Sequence, residues 1–216
     1  MNTVAVIDYG MGNIRSVAKA VEHVSDNVRV LVSNDAESIC AADYVILPGV
    51  GALRDCMSEL QRRELVDAVH ECARTRPFLG ICLGMQALLD YSEENGGTDG
   101  LAIIPGQARH FVSTRAGGLD QDQALKIPHM GWNQVHQARS HPLWQGIGQD
   151  SRFYFVHSYY AAPELEQTVL ATTTYGQPFA SVIGRDNIFA VQFHPEKSQQ
   201  AGLHLLRNFI AWDGSC

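Results

Sequence analysis

The sequence predicts a three-layer α/β fold: a mostly parallel central sheet flanked by helices, with antiparallel strands added to it. Three observations carry this. Short runs rich in β-branched residues alternate with segments of helical spacing through the first ninety or so residues. From about Leu101 to Phe193 the pattern changes to short strands and many turns. The chain then closes on an amphipathic segment. No repeat, low-complexity tract or linker divides it, so residues 1–216 read as one domain.

In order, Thr3 to Ile7 is strand-like, and Ile14, Val17, Ala18 and Val21 give Ile14 to Val24 helical spacing. Val28 to Val32 and Tyr44 to Leu47 read as strands. Ala52 to Thr75 carries one or two helices, with Leu60, Val66 and Val69 on apolar faces. Phe78 to Ile81 is strand and Leu83 to Tyr91 helix. This β-α-β-β-α-β-α rhythm argues for a mostly parallel sheet covered by helices on both faces. In the second half the clearest strands are Phe153 to Val156, Val169 to Thr173, Phe179 to Ile183 and Ile188 to Phe193, expected as antiparallel additions to the same sheet. Gln199 to Trp212 forms the closing helix through Leu203, Leu206, Phe209 and Ile210. Gly117 to Asp122 is the expected flexible loop.

Composition narrows the function. Hydrophobic residues make up 45% and charged residues 18%, ordinary for a globular chain able to bury a substantial core. The net charge of −7 and scattered Lys and Arg give no footing for nucleic-acid binding. The cysteines, Cys40, Cys56, Cys72, Cys82 and Cys216, are odd in number and show no Cys-x-x-Cys pair, which argues against a disulfide framework or structural zinc. A reducing cytoplasm is expected, with no signal peptide at Met1-Asn2-Thr3-Val4 and no membrane-spanning run. The nine histidines include no His-x-x-x-His pair, and no metal or cofactor is expected.

The chemistry centres on Cys82, between two glycines in Gly80-Ile81-Cys82-Leu83-Gly84. A strand precedes it and a helix-like run follows, the layout of a nucleophile elbow. The turn is crowded, so a Cβ at either glycine would clash, and the helix start favours negative charge on a thiol held there. A nucleophilic cysteine needs a base and an orienter. Gln192-Phe193-His194-Pro195-Glu196 supplies both: Pro195 keeps His194 extended, and residues two apart in an extended chain share a face. His194 and Glu196 should then meet, giving Cys82–His194–Glu196. A developing oxyanion needs donors. The Leu83 N–H is one, and Pro48-Gly49-Val50-Gly51, after a strand, offers a second at Gly51. Each piece also has a plainer reading, as a core cysteine, a structural histidine and a strand-end turn; their combination favours catalysis.

Taken with Met85-Gln86 after the elbow and Lys197-Ser198 after Glu196, these pieces, in their order and spacing, resemble class I (triad-type) glutamine amidotransferases, with their flavodoxin-like fold. Three further stretches are Asp8-Tyr9-Gly10-Met11-Gly12-Asn13, Pro128-His129-Met130-Gly131-Trp132-Asn133 and Val156-His157-Ser158-Tyr159-Tyr160. With them the whole chain resembles the glutaminase subunits of imidazole glycerol phosphate synthase, of histidine biosynthesis. Leu53 stands where an aromatic residue is common in that family.

The resemblance implies that Cys82 attacks the side-chain amide of glutamine, that His194 moves the protons and that Glu196 holds His194. It implies that Gly49, Val50, Gln86, His157, Ser158 and Tyr159 bind glutamine. It implies a heterodimer, with ammonia passing to a cyclase subunit, a (β/α)8 barrel. Asn13 and Trp132 are candidates for the cyclase-facing surface; equally, Asn13 would cap the first helix and Trp132 would sit in the core. Glutaminase activity is expected to be weak until the partner binds, with a peptide flip at Val50-Gly51 as the physical switch. The alternatives are the glutaminase of another synthase (pyridoxal phosphate or anthranilate), a silent binding module of the same fold, or a cysteine peptidase or thioesterase.

Overall fold

The computed structural model describes residues 1–111 and 125–215; the loop expected at Gly117 to Asp122, and Cys216, lie outside the described residues. The chain begins with β1 (Asn2–Ile7), α1 (Ile14–Val24), β2 (Val28–Ser33) and α2 (Ala36–Cys40). It continues through β3 (Tyr44–Gly49), α3 (Leu53–Arg62), α4 (Val66–Thr75), β4 (Phe78–Cys82) and α5 (Leu83–Ala87). Five more strands follow: β5 (Tyr91–Ser92), β6 (Thr98–Asp99), β7 (Gly106–His110), β8 (His129–Gln134) and β9 (His136–Gln137). Then come β10 (Arg152–His157), β11 (Tyr159–Pro163), β12 (Val169–Tyr175), β13 (Gln177–Arg185), β14 (Ile188–Val191) and α6 (Gln199–Ala211).

Among the described residues, twelve strands form one sheet in the order β2-β1-β3-β4-β14-β13-β11-β7-β5-β6, with β12 and β9 branching from β13. The first five are parallel to one another. From β14 onward β13, β11 and β7 pair antiparallel in succession. Side chains alternate across the parallel part as strand geometry requires. Val4, Val6, Ile46, Leu79 and Ile81 point into a core shared with α1 and α6. Ala5, Ile7, Val45, Leu47 and Phe78 point into a second core shared with α2, α3, α4 and α5. The two cores and the sheet between them are the three layers.

The Ala52–Thr75 region, expected as one or two helices, is two, α3 and α4, broken at Glu64, which adopts φ +57. The structure departs from the sequence reading at four elements. Helix α2 was not expected; Asp35 caps it by accepting from the Ser38 N–H at 2.8 Å. Helix α5 stops at Ala87 rather than Tyr91, because residues 100–104 claim its last carbonyls. Leu101 N donates to Ala87 O at 2.8 Å, and Ile103 and Ile104 N both donate to Leu88 O at 2.9 Å. A tertiary loop thus overrides a run of good helix formers.

The other two departures concern the late strands. Ile188–Val191 joins β4 in parallel, with Ile188 opposite Phe78, and only its other edge is antiparallel. Its unbroken apolar run, Ile-Phe-Ala-Val, fully buried, is the mark of a parallel strand covered on both faces. Phe153 to Val156 does not extend the sheet at all. It belongs to β10, which pairs antiparallel with β8 in a separate two-stranded ribbon.

Candidate active site

The strand-to-helix turn at Cys82 is an elbow. Cys82 sits at φ +53 and ψ −107, a conformation that costs a non-glycine residue about 1–3 kcal/mol and persists only where packing imposes it. The packing is close. A Cβ on Gly84 would lie 1.9 Å from the Leu47 carbonyl oxygen, so α5 reaches β3 only because Gly84 has none. One on Gly80 would meet the Ala190 Cβ at 3.1 Å. Gly49 is equally confined: a Cβ there would lie 2.7 Å from the Tyr9 hydroxyl and 2.8 Å from the Leu83 Cβ. Tyr9 is buried and donates its hydroxyl to the Pro48 carbonyl at 2.9 Å, which pins the root of the glycine loop. Burial, helped by Cys56 and Cys82, pushes the Tyr9 pKa far up, so it remains a neutral donor.

His194 follows β14 in extended conformation, and Pro195–Lys197 then make one 3-10 turn. This turn, rather than a continued strand, brings Glu196 back to the ring: His194 Nδ1 and Glu196 Oε1 are 2.8 Å apart. A carboxylate accepts only, so Nδ1 carries the proton and Nε2 is left for proton transfer. Burial works against a charged ring, but interaction with Cys82 and Glu196, by hydrogen bond and charge, outweighs it and raises the His194 pKa to about 10. Nε2 is buried and has no partner within ordinary hydrogen-bond distance, so its interaction with Cys82 is a longer one. The segment is braced by β10. The His194 N–H donates to Tyr154 O at 2.9 Å, and the Ser198 hydroxyl donates to His194 O at 2.6 Å.

The Glu196 side chain is fully buried. Its Oε1 also accepts from Asn13 Nδ2 at 3.2 Å. Asn13 makes no side-chain cap on α1. It stands instead behind the carboxylate as a further orienting group, a contact 183 residues away in sequence that local spacing cannot reveal.

Cys82 and His194 open into one cavity of about 290 Å³. Gly51 and Leu83, the expected oxyanion donors, line it, as do Val50, Gln86, His157, Ser158 and Tyr159. Gly49 does not; its place is in the packing between Tyr9 and Leu83. Pro128 and Val156, named from sequence only within the family-like stretches, also line the cavity, as does Glu94, which was not named at all. Glu94 accepts from the Leu53 N–H at 2.7 Å, tying the start of α3 to the cavity wall. A more open cleft of about 630 Å³, between α4 and residues 185–188, contains none of these residues.

A buried polar network supports the cavity wall. Gln86 Nε2 donates to Tyr159 O at 2.9 Å, and His157 Nδ1 donates to the same carbonyl at 2.7 Å. That fixes the His157 tautomer, so its Nε2 accepts from His129 Nδ1 at 2.9 Å. His129 Nε2 then accepts from Asn133 Nδ2 at 3.2 Å. Both rings are neutral: burial pushes the His129 pKa down to about 4 and that of His157 to about 3. Burial does the same to His141, to about 4.

Unfolding frees these three rings to take up protons from about pH 6.5 downward. Their contribution to stability is therefore present above about pH 6.5 and is lost as pH falls toward 4. His194 acts oppositely, its contribution being present below about 6.5 and lost as pH rises toward 10. Denaturant unfolding is expected to show maximal stability near neutral pH, with a loss of a few kcal/mol on acidification to pH 4. A profile flat between pH 7 and 4 would contradict neutral burial of these rings.

On the outer side of the ribbon, Trp132 is 43% exposed and Met130 63% exposed. Trp132 is therefore not a core residue; it stacks only edge-on to Tyr154, at 6.1 Å.

Residues 5–212 match the family model described as glutamine amidotransferase class-I. The chain is 57% identical over 214 residues to the imidazole glycerol phosphate synthase subunit HisH of Nitrosococcus oceani, covering 99% of each chain. It is 56% identical to the same subunit of Methylococcus capsulatus, covering 99% of this chain and 98% of the relative. Among solved structures, PurLQS from Thermotoga maritima superposes with a TM-score of 0.71 at 14% identity, covering 98% of this chain and 99% of that one. A structure described as a glutamine amidotransferase gives 0.69 at 16% identity, covering 96% and 97%. These structural likenesses speak to the fold, and the sequence relatives to descent. The chain belongs to the class-I glutamine amidotransferase family and, within it, to the family of imidazole glycerol phosphate synthase HisH subunits.

Proposed function

We propose that this chain is the glutaminase subunit of an imidazole glycerol phosphate synthase, hydrolysing glutamine to glutamate and ammonia for a cyclase partner. The observation that carries the proposal is the meeting of three groups in one cavity: Cys82 on a positive-φ elbow, His194 bonded to buried Glu196, and Gln86.

Glutamine enters the cavity with its amide carbon beside Sγ. The Cys82 proton passes to His194 Nε2, the resulting thiolate attacks that carbon, and the carbonyl oxygen becomes an oxyanion. The Leu83 and Gly51 N–H groups stabilise it; each such donor is worth roughly 3 kcal/mol. His194 returns the proton to the departing nitrogen, ammonia leaves, and a glutamyl thioester remains. Water deprotonated by His194 then attacks the thioester, releasing glutamate and restoring the thiol. Glu196, itself held by Asn13, keeps Nδ1 protonated and stabilises the imidazolium formed at each transfer.

Gly51 adopts φ +94, and the exposed Val50 beside it leaves the Val50-Gly51 peptide free to reorient. We take that reorientation, on partner binding, as the step that completes the oxyanion hole. The exposed Met130 and Trp132 offer an apolar surface to the cyclase, on the ribbon whose β10 strand also carries Val156 and His157 of the cavity wall. Ammonia would meet a phosphoribulosyl-formimino aminoimidazole carboxamide nucleotide there, giving imidazole glycerol phosphate and an aminoimidazole carboxamide ribonucleotide in the cytoplasm. No helix among the described residues is long and apolar enough to cross a membrane.

Mixing the chain with the cyclase subunit and its ligand should raise glutamate release strongly above that of the chain alone. Full activity from the isolated chain would sink the switch, and release stimulated only by a pyridoxal phosphate or anthranilate synthase would sink the assignment. Glu196→Gln is expected to lower partner-stimulated kcat by about 100- to 10,000-fold with little change in KM, because the imidazolium loses its counter-charge. Steady-state kinetics on the complex checks this.

A further inference from the structure

We propose that Gln192 is a positioning residue for the nucleophile: its side-chain amide donates an N–H to Cys82 Sγ and holds the sulfur as a thiolate aimed into the cavity. The idea rests on Cys82 being the nucleophile of the proposed glutaminase.

Gln192 is fully buried on the segment just after β14, two residues before His194. Its amide is placed between two site residues. Gln86 Nε2 lies 3.1 Å from Gln192 Oε1, and Gln192 Nε2 lies 3.8 Å from Cys82 Sγ. Which end of an amide is nitrogen has to be deduced from its partners, and here they leave no choice. Tyr159 O is a carbonyl and can only accept, so the atom of Gln86 that meets it, at 2.9 Å, is the nitrogen. That same nitrogen is the one against Gln192, which must therefore present its oxygen. The nitrogen of Gln192 is left for the sulfur.

The two protonation states of Cys82 then find different partners. A thiol donates, and the Val156 carbonyl lies 3.9 Å from Sγ to receive it. A thiolate only accepts, and the Val156 oxygen repels it. Gln192 and His194 are the groups placed to hold it. His194 takes up and gives away its Nε2 proton during the reaction, whereas Gln192 is fixed at its other end by Gln86 and cannot itself ionise. A buried amide donor is stronger here than in water, because nothing competes for it. The arrangement also connects substrate to nucleophile: Gln86, on the cavity wall, is one hydrogen bond from Gln192 and two from the sulfur. Local sequence gives no sign of this. An amide two residues before His194 reads as an ordinary strand residue until the fold brings it against a cysteine 110 positions away in sequence.

The titratable groups around Sγ are His194 with Glu196 behind it, His157, Glu94 and Tyr159 on the cavity wall, and Tyr9 beneath the elbow. Each is unchanged by a substitution at Gln192, so a difference between variant and wild type reports the amide alone.

The test is the pH dependence of Cys82 alkylation by iodoacetamide in the full chain, read at the Cys82 peptide by mass spectrometry. Gln192→Met keeps the length of the side chain and removes its donor. Its alkylation profile is expected to move to higher pH, with the rate at neutral pH falling about tenfold, and kcat for glutamine in the complex is expected to fall more than KM rises. A Gln192→Met profile that superposes on wild type, in a folded protein, overturns the proposal. Should the variant not fold, the wild type gives the answer by itself. The side-chain amide resonance of Gln192 is expected to titrate with the same midpoint as Cys82 alkylation, and a resonance that does not move overturns the proposal. Iodoacetamide requires no glutamine site, so failure here leaves wild-type glutamine turnover intact, while a wrong glutaminase assignment would appear as normal alkylation without turnover.

Discussion

Replacing Cys82 by alanine is expected to lower glutamine-dependent turnover by at least about ten-thousand-fold, while the partner's use of added ammonia stays within about twofold of normal. The first part follows from covalent catalysis. Without sulfur there is no thioester, and His194 has no nucleophile to activate. The second follows from the proposed division of labour, in which the cyclase needs only ammonia and a docked surface to close around. Alanine keeps the Cβ and removes one atom from the cavity wall, so packing at the elbow changes little, and the φ of +53 is imposed by the neighbours rather than by the cysteine. Glutamine- and ammonia-dependent cyclisation, measured side by side on the complex, check both parts. Loss of the ammonia-dependent rate as well would mean that Cys82 shapes the complex rather than making ammonia.

Gly84→Ala is expected to be the most damaging single methyl in the site. The added carbon would fall 1.9 Å from the Leu47 oxygen and 2.9 Å from the Leu47 carbonyl carbon, both backbone atoms of a central strand. Neither can swing aside as a side chain would, so α5 and β3 must separate. Overpacking of a core typically costs 1–3 kcal/mol, and a backbone clash this deep belongs at or above the top of that range, about 3 kcal/mol. For a chain of this size that lowers Tm by roughly 6–12 °C. Because α5 carries Leu83 and Gln86, activity should fall even in the surviving folded molecules. Gly148→Ala makes the control: a Cβ there comes no nearer than 3.7 Å to another atom, the Ser151 hydroxyl, and Tm should move by less than about 2 °C. Equal melting curves for Gly84→Ala and wild type would contradict the close approach of α5 to β3.

Much of this architecture is legible in the sequence because local pattern and tertiary role agree. The limits of α1 follow from its spacing alone, and the glycines around Cys82 mark the elbow because their absent side chains are a local requirement of the turn. The pairing of His194 with Glu196 is legible too, although the structure achieves it by a 3-10 turn instead of a continued strand. What is not legible depends on long-range contacts. Helix α5 ends early because residues 100–104 capture its carbonyls, and nothing in Leu88-Leu89 announces that. Strand β14 is parallel because it lies against β4, and β10 leaves the sheet because β8 pairs with it; neither follows from its own residues. The supporting contacts of the site are of the same kind. Asn13 reaches Glu196, Gln192 reaches Cys82 and Glu94 reaches Leu53 across distances that only the fold closes.

The glutaminase account rests on one sulfur. A glutamine-like electrophile, such as a diazoketone analogue of glutamine, added to the complex with its cyclase ligand present and followed by intact-mass and peptide analysis, interrogates that sulfur directly. The account predicts a single adduct, located on Cys82, suppressed by excess glutamine and absent from Cys82→Ala. An adduct that forms on another cysteine, or none at all while glutamate is still being released, would contradict it.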